Sequence, residues 1–102
     1  MFYEKRYELD KLLLKISIPY EKSKVSNWKI NNIDFYDKDG KLLYNVSKLL
    51  NDYSSKNEIN LYDEVFLDIE VFTSNNILCK GFKFVYEINI ETEEIIRITA
   101  NR

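Results

Sequence analysis

The stretch LYDEVFLDIEVF, residues 61–72, alternates apolar and charged residues, and this period of two constrains the fold more than any other feature of the chain. Successive side chains of a β-strand point to opposite faces, so such a segment offers one face to a core and one to solvent. KLLLKISI, residues 11–18, repeats the pattern and ends at Pro19. Residues 28–36 predict a further strand after a polar loop. The sequence therefore predicts an antiparallel sheet.

A helix is predicted between residues 41 and 53, because the apolar side chains there fall within an arc of about 120° at 3.6 residues per turn. Asp39 is the candidate N-cap of this helix. A competing interpretation makes Asp39 and the following glycine a hairpin turn, which pairs Phe35 with Tyr44 and starts a shorter helix at Ser47. We favour the longer helix.

The last third of the chain predicts a three-stranded meander. If TSNN, residues 73–76, is a hairpin loop, Phe72 lies opposite Ile77. The core face then carries Val65, Leu67, Ile69 and Val71 beside Leu78, Phe82 and Phe84. The opposite face carries Glu64, Phe66, Asp68, Glu70 and Phe72, with Cys79, Gly81 and Lys83 on the neighbouring strand.

The final hairpin, INIETEEIIRI, has Glu93 at a turn position where glycine is usual. Pairing Ile90 with Ile96, and Ile88 with Ile98, keeps the core face continuous only if the loop has an odd number of residues. We therefore expect a bulged turn with a left-handed residue near Glu93.

Length and composition predict one α+β domain, residues 1–102, with an antiparallel sheet of about five strands packed on one amphipathic helix. Fifteen aromatic residues with only two Gly and one Pro argue against disorder. Cys79 is the single cysteine, so we expect no intramolecular disulfide and a reducing, cytoplasmic setting. Charges are scattered through the first twenty residues, so we expect neither a signal peptide nor a membrane span.

Several kinds of catalytic and cofactor site are excluded. The chain has no histidine, which removes the commonest general base, the Ser-His and Cys-His nucleophile systems and the commonest transition-metal ligand. The two glycines, Gly40 and Gly81, lie too far apart for a phosphate-binding loop. Aligning DKDG with a calcium loop puts Phe35 and Val46 where acidic ligands are required. We therefore expect no cofactor and no enzymatic activity.

Charge is unevenly distributed, although the net charge is only −2. Residues 57–94 contain nine acids and two bases, so this region would repel nucleic acid, and direct nucleic-acid binding is not expected. Acids two residues apart on a strand recur about every 6.6 to 6.8 Å. Aromatic side chains anchor interfaces and charges steer partners, so the face is either a solvated surface or a binding surface. The predicted partner-binding residues are Glu64, Phe66, Asp68, Glu70, Phe72 and Lys83.

The chain resembles toxin-immunity proteins and phage-encoded inhibitors in being small, acidic, α+β and free of histidine. Twelve Lys against three Arg also indicate an AT-rich genome, such as that of a low-GC bacterium or its phage. The resemblance implies a non-catalytic inhibitor of a bacterial toxin, nuclease or nucleic-acid-handling defence protein, and the acidic face implies that this partner is basic.

Two other functions stay open at this point. A small-ligand module would have an apolar pocket lined by Trp28, Phe82, Phe84 and Tyr86. A magnesium-dependent enzyme would hold its metal with Glu64, Asp68 and Glu70.

Overall fold

Two four-stranded antiparallel sheets and a helix make up the described parts of the chain. The computed structural model describes residues 2–20, 28–61 and 63–100. The elements in chain order are β1 (Phe2–Glu8), β2 (Leu13–Pro19), β3 (Ile33–Tyr36), β4 (Leu42–Asn45), α1 (Val46–Asn57), β5 (Phe66–Val71), β6 (Asn76–Gly81), β7 (Phe84–Asn89) and β8 (Glu94–Ala100). The strand order is β1-β2-β3-β4 in the N-terminal sheet and β5-β6-β7-β8 in the C-terminal sheet. Each sheet is therefore a simple meander.

The α+β class is confirmed, but the prediction of one sheet with about five strands is wrong. No residue of β1 is fully buried, and charged residues occupy both of its faces, so its alternation is hidden in the sequence. The turn between β6 and β7 also interrupts what the sequence presents as one continuous strand. The C-terminal meander consequently has four strands instead of three.

The helix begins later than we favoured. Asn45 is the N-cap of α1, and its side-chain oxygen accepts a hydrogen bond of 2.9 Å from the Ser47 amide. The preceding residues form β4, in which Tyr44 pairs with Phe35. Gly40 in the β3–β4 connection has a φ of 87°, a left-handed conformation that glycine adopts at little steric cost. The competing interpretation, a hairpin followed by a shorter helix, is therefore correct.

Both sheets and the helix face one hydrophobic core. The N-terminal sheet contributes Leu14, Ile16, Ile18, Ile33 and Phe35, so the prediction that alternate residues of β2 share a buried face is confirmed. The other contributors are Phe66, Ile69, Ile77, Cys79, Tyr86, Ile88 and Ile95 from the C-terminal sheet, and Val46, Leu49 and Leu50 from α1. Burial of a large apolar side chain stabilises a fold by roughly 1.5 to 3 kcal/mol.

Two asparagines that precede β3 join the N-terminal sheet to the start of β5, and a third asparagine holds one of them. The buried side chain of Asn32 accepts a hydrogen bond from the Phe66 amide and donates one to the Phe66 carbonyl, both 2.8 Å long, as a neighbouring strand would. Asn31 binds Glu64 in a similar way, through its amide at 2.7 Å and its side-chain oxygen at 3.1 Å. Asn45 donates to the Asn31 carbonyl at 2.8 Å. These bonds fix where the chain enters the C-terminal sheet.

A β-bulge in β5 changes which face its residues occupy. Phe66 and Asp68, two residues apart, pair with adjacent residues of β6, so Leu67 is an extra residue in the strand. Because of this extra residue, Phe66 and Ile69 both reach the core, with 0% and 4% exposure. The predicted inner positions Val65 and Leu67 are only half-buried. The alternation that predicted the strand therefore does not continue through it.

The register of the β5–β6 hairpin also differs from the prediction by one residue. Val71, rather than Phe72, pairs with Ile77. Cys79 consequently lies on the core side, where it is buried, and Leu78 lies on the other side. Val71 is at the end of the strand and is 56% exposed, so its predicted burial is wrong.

The hairpin between β7 and β8 confirms the predicted backbone but not the predicted pairing. Glu93 has a φ of 58°, the left-handed conformation expected there, and the register shifts next to Ile88 as a bulge requires. Ile88 pairs with Ile95, however, and Ile98 lies opposite Tyr86. The predicted isoleucine pairs are therefore wrong, because the bulge lies within the strands and not at the turn alone.

Candidate functional site

The candidate site is the side of the C-terminal sheet that points away from the core, which we call the outer face. Cross-strand neighbours form two rows on it, one of Glu70, Leu78, Glu87 and Arg97, the other of Asp68, Lys80, Val85 and Thr99. Phe72 follows directly after the end of β5. A shallow groove of about 170 Å³ on this face is lined by Phe72, Leu78, Val85, Glu87, Arg97 and Thr99.

Three apolar side chains, Phe72, Leu78 and Val85, form an apolar strip in this groove. Phe72 is 54% exposed, and the other two are half-buried. In an antiparallel sheet with one face on the core, the outward positions are usually polar. Neighbouring apolar side chains on that outward side are therefore more typical of a contact surface than of an idle one.

Ion pairs border the apolar strip. Glu70 binds Lys80 at 3.0 Å, with both side chains about half exposed, and its carboxylate raises the pKa of Lys80 above 10.5. Glu87 binds Arg97 at 2.9 Å and accepts a second hydrogen bond of 2.9 Å from the side-chain amide of Asn76. Because Glu87 is only 7% exposed, loss of Arg97 would leave a nearly buried charge poorly compensated. The Glu87 pair is thus structural, whereas the Glu70 pair is open to exchange.

Asp68 connects the outer face to the N-terminal sheet. Its carboxylate accepts hydrogen bonds from the Tyr7 hydroxyl at 2.5 Å, the Lys5 ammonium at 3.1 Å and the Ile69 amide at 2.9 Å. Partial burial opposes ionisation, but these three donors outweigh it, so the pKa of Asp68 lies below its ordinary value. Asp68 is therefore a charged and already occupied acceptor at neutral pH.

Glu64 and Phe66 do not belong to the exposed face, and their predicted exposure is wrong. Phe66 is fully buried, and Glu64 is 3% exposed. The Glu64 carboxylate accepts four hydrogen bonds, an arrangement we call the Glu64 clamp, from the amides of Val65 at 3.0 Å, Phe82 at 3.1 Å and Lys83 at 3.3 Å and from the Tyr86 hydroxyl at 3.0 Å. Burial and the Glu64 charge raise the pKa of Tyr86, so this hydroxyl keeps its proton. Glu64 therefore holds the β6–β7 turn.

The remaining predicted residue, Lys83, is exposed in the turn between β6 and β7. That turn lies at the opposite end of β6 from Phe72. The structure thus brings together Asp68, Glu70 and Phe72 and separates them from Lys83.

The carboxylates proposed to hold magnesium do not converge. Glu64 is committed to the Glu64 clamp, and Asp68 and Glu70 bind Lys5 and Lys80. Within residues 2–20, 28–61 and 63–100 no group of three or more Cys, Asp or Glu side chains could hold a metal ion. The three carboxylates that the magnesium hypothesis names as metal ligands are therefore each bound to other groups and do not form a common site.

The residues proposed to line an apolar pocket are also divided between interior and surface. Tyr86 is buried, with its ring 5.3 Å from that of Phe66. Phe82 and Phe84 are 56% and 39% exposed, and Trp28 packs against the core. These four side chains thus do not share one environment, as a common pocket lining would require.

Sequence reasoning missed most of the outer face, including Leu78, Val85, Glu87 and Arg97. The one-residue register error placed Leu78 in the core, and the unrecognised β6–β7 turn hid the strand that carries Val85 and Glu87. The run ILCK, residues 77–80, gave no signal that could have decided the register, because three of its four residues are consecutive apolar residues and fit either register.

No family model matches the chain, and no curated protein or solved structure does so either. Among the residues that the structure describes, no helix is long and apolar enough to cross a membrane. The function must therefore be inferred from the chain's own residues.

Proposed function

We propose that the chain is a non-catalytic inhibitor or immunity-type protein, which binds and blocks a macromolecular partner through the outer face. The partner is a protein such as a bacterial toxin, a nuclease or a nucleic-acid-handling defence protein. The observation that supports this proposal is the apolar strip on the solvent side of the C-terminal sheet, with ion pairs along its border. Protein interfaces have the same organisation, an apolar centre inside a polar rim.

Phe72 is the expected anchor of this interface. Its ring is more than half exposed at the end of the strip, so a partner can enclose it without disturbing the fold. Buried aromatic side chains near the centre of an interface contribute a large share of binding energy. Leu78 and Val85 extend the contact towards the middle of the sheet.

The charges on the outer face favour a partner with basic side chains. The Glu70–Lys80 pair is exposed, and such pairs are held weakly, so a partner's arginine can replace Lys80 at Glu70. Asp68 and Glu87 are already held by several donors and keep the surface in place. Association should consequently become slower as salt is added.

We also propose that the protein acts in the cytoplasm. Cys79, the single cysteine, is buried and unpaired, as suits a reducing compartment.

A comparison of two serine variants tests the proposal. The immobilised protein is incubated with extracts of its host to capture a partner. In a second experiment it is incubated with the product of the neighbouring gene, which is itself a candidate partner. Phe72→Ser removes the anchor, and Leu43→Ser removes a comparably exposed apolar side chain (43%) from β4 of the other sheet. We expect Phe72→Ser to lose the partner and Leu43→Ser to keep it, and the partner's own activity to fall when the wild-type protein is bound.

Three results would contradict the proposal. Capture of no partner from either source would remove the inhibitor function. Equal retention by the two variants would show that the outer face is not the interface. Full activity of the partner in the complex would refute the blocking role.

A further inference from the structure

A second surface lies at the end of the molecule where three connections meet, and we call it the end groove. The β1–β2, β5–β6 and β7–β8 connections surround a cavity of about 590 Å³ between the two sheets. Its apolar lining consists of Leu9, Leu12, Val71 and Ile90, three of which pack against the core. Its charged lining consists of the exposed side chains of Glu8, Asp10, Lys11 and Glu91.

The acids of the end groove differ from most acids of the described surface. Seven described acids have a cation within 4.0 Å, namely Glu4, Asp52, Asp68, Glu70, Glu87, Glu93 and Glu94. Four more accept hydrogen bonds through their carboxylates, namely Asp34, Asp37, Asp63 and Glu64. Within the described part of the chain, the carboxylates of Glu8, Asp10 and Glu91 form no ion pair and accept no hydrogen bond. With Lys11 as the one base against three acids, the end groove has a local charge of −2.

This combination of apolar lining and uncompensated acids defines the chemistry of a ligand. An apolar body would cover Leu9, Leu12, Val71 and Ile90, and positive charges would be attracted to the surrounding carboxylates. The lining is open to solvent, since Val71 is 56% exposed. Small molecules are usually enclosed over most of their surface, so a chain segment that lies across the opening matches the end groove better.

We propose that the end groove binds a basic amphipathic segment of another protein. Its apolar side chains occupy the lining, and its lysine or arginine side chains reach Glu8, Asp10 and Glu91. This site is separate from the outer face and does not depend on the function proposed for that face.

Peptide titration of the isotope-labelled full chain tests the site. The probes are an amphipathic peptide of leucine and lysine and two matched peptides in which glutamate or glutamine replaces every lysine. We expect the lysine peptide alone to shift the backbone amide resonances of Leu12, Val71 and Ile90, with a dissociation constant that rises as salt is added.

A matched pair of charge variants separates a specific site from general attraction to an acidic protein. Glu8→Gln/Glu91→Gln removes two acids from the end groove. Asp39→Asn/Glu58→Gln removes two exposed acids that lie elsewhere, so the change in net charge is the same. We expect the first variant to weaken peptide binding about five- to tenfold and the second to change it less than about twofold.

Substitutions in the apolar lining give an independent readout. Val71→Ser should weaken binding of the lysine peptide without destabilising the fold, because this side chain is largely exposed. Phe72→Ser should leave peptide binding unchanged, so failure of the end groove and failure of the outer face are distinguishable.

The proposal is overturned if the glutamate or glutamine peptide binds as tightly as the lysine peptide, or if the shifted resonances lie away from the end groove. Equal weakening by the two charge variants would also overturn it. The proposal would also be overturned if a small alkylammonium ion shifted the same resonances and the lysine peptide could not displace that ion.

Discussion

The contact between Glu64 and Gly81 leads to a quantitative prediction about folding stability. A Cβ atom added at Gly81 would lie 2.5 Å from both Cγ and Cδ of Glu64. The Glu64 carboxylate cannot withdraw freely, because the four donors of the Glu64 clamp hold it. Overpacking of this kind costs about 1 to 3 kcal/mol, and a lost hydrogen bond adds about 1 kcal/mol. We expect Gly81→Ala to destabilise the protein by about 2 to 4 kcal/mol.

Removing the Glu64 clamp should lower the free energy of unfolding more than the clash at Gly81 does. Glu64→Ala leaves the Tyr86 hydroxyl without its acceptor in the interior, which costs about 1 to 3 kcal/mol, and removes three further bonds to a carboxylate. We expect a total loss of about 3 to 5 kcal/mol. In this background the methyl group of Gly81→Ala no longer meets the Glu64 side chain, so the second substitution should add almost nothing.

Urea unfolding of the wild type, the two single variants and the double variant measures this coupling. The double variant should be more stable than the sum of the single effects by the whole cost of Gly81→Ala, about 2 to 4 kcal/mol. In thermal unfolding, 1 kcal/mol corresponds to a shift in Tm of roughly 4 to 8 °C for a chain of this size. Additive effects of the two substitutions would refute the clash, and a Glu64→Ala loss well below about 3 kcal/mol would refute the clamp.

Three further predictions concern burial and charge. Phe66→Ala should lower the free energy of unfolding by about 3 to 5 kcal/mol and Phe72→Ala by less than about 0.5 kcal/mol, since the Phe66 ring is buried and the Phe72 ring is exposed. Urea unfolding measures both losses, and similar values for the two variants would contradict the bulge. The lowered pKa of Asp68 stabilises the fold above pH 3.8, its ordinary pKa, and this contribution disappears as pH falls through the folded pKa. Asp68→Asn should therefore flatten the acid dependence of unfolding, by less than about 1 kcal/mol because solvent screens the group, and an unchanged acid dependence would disprove the link. Burial raises the pKa of Cys79, so a thiol reagent should label the native protein only as fast as it unfolds, and rapid labelling without urea would contradict its placement.

Local patterns predicted those parts of the fold that local interactions determine. The alternation in β2 is uninterrupted, and its predicted inner residues are all buried or half-buried. The left-handed residue at Glu93 also follows from a short stretch of sequence. The helix start was wrong because Leu42 and Leu43 fit a helical arc by their spacing alone, whereas both are exposed in β4.

The candidate site was only partly predictable, because one bulge divides the predicted face. Residues after Leu67, such as Asp68 and Glu70, keep the predicted outward side, whereas Glu64 and Phe66 before it turn inward. The amide and carbonyl of Phe66 are held by Asn32, 34 residues earlier in the chain. Alternation within β5 contains no information about that distant bond, and both possible registers place apolar residues on the core side.

The end of β5 supplies both proposed surfaces with an apolar side chain. Val71 and Phe72 are adjacent, so in extended backbone their side chains point to opposite sides of the sheet, and they line the end groove and the outer face respectively. The backbone here is fixed, since the Phe72 amide donates to the Asn76 carbonyl at 3.0 Å and the Ile90 amide donates to the Asn75 carbonyl at 2.8 Å. A fixed backbone lowers the entropy lost when a partner binds. The side chains of Val71 and Phe72 therefore need no folding step before a partner contacts either surface.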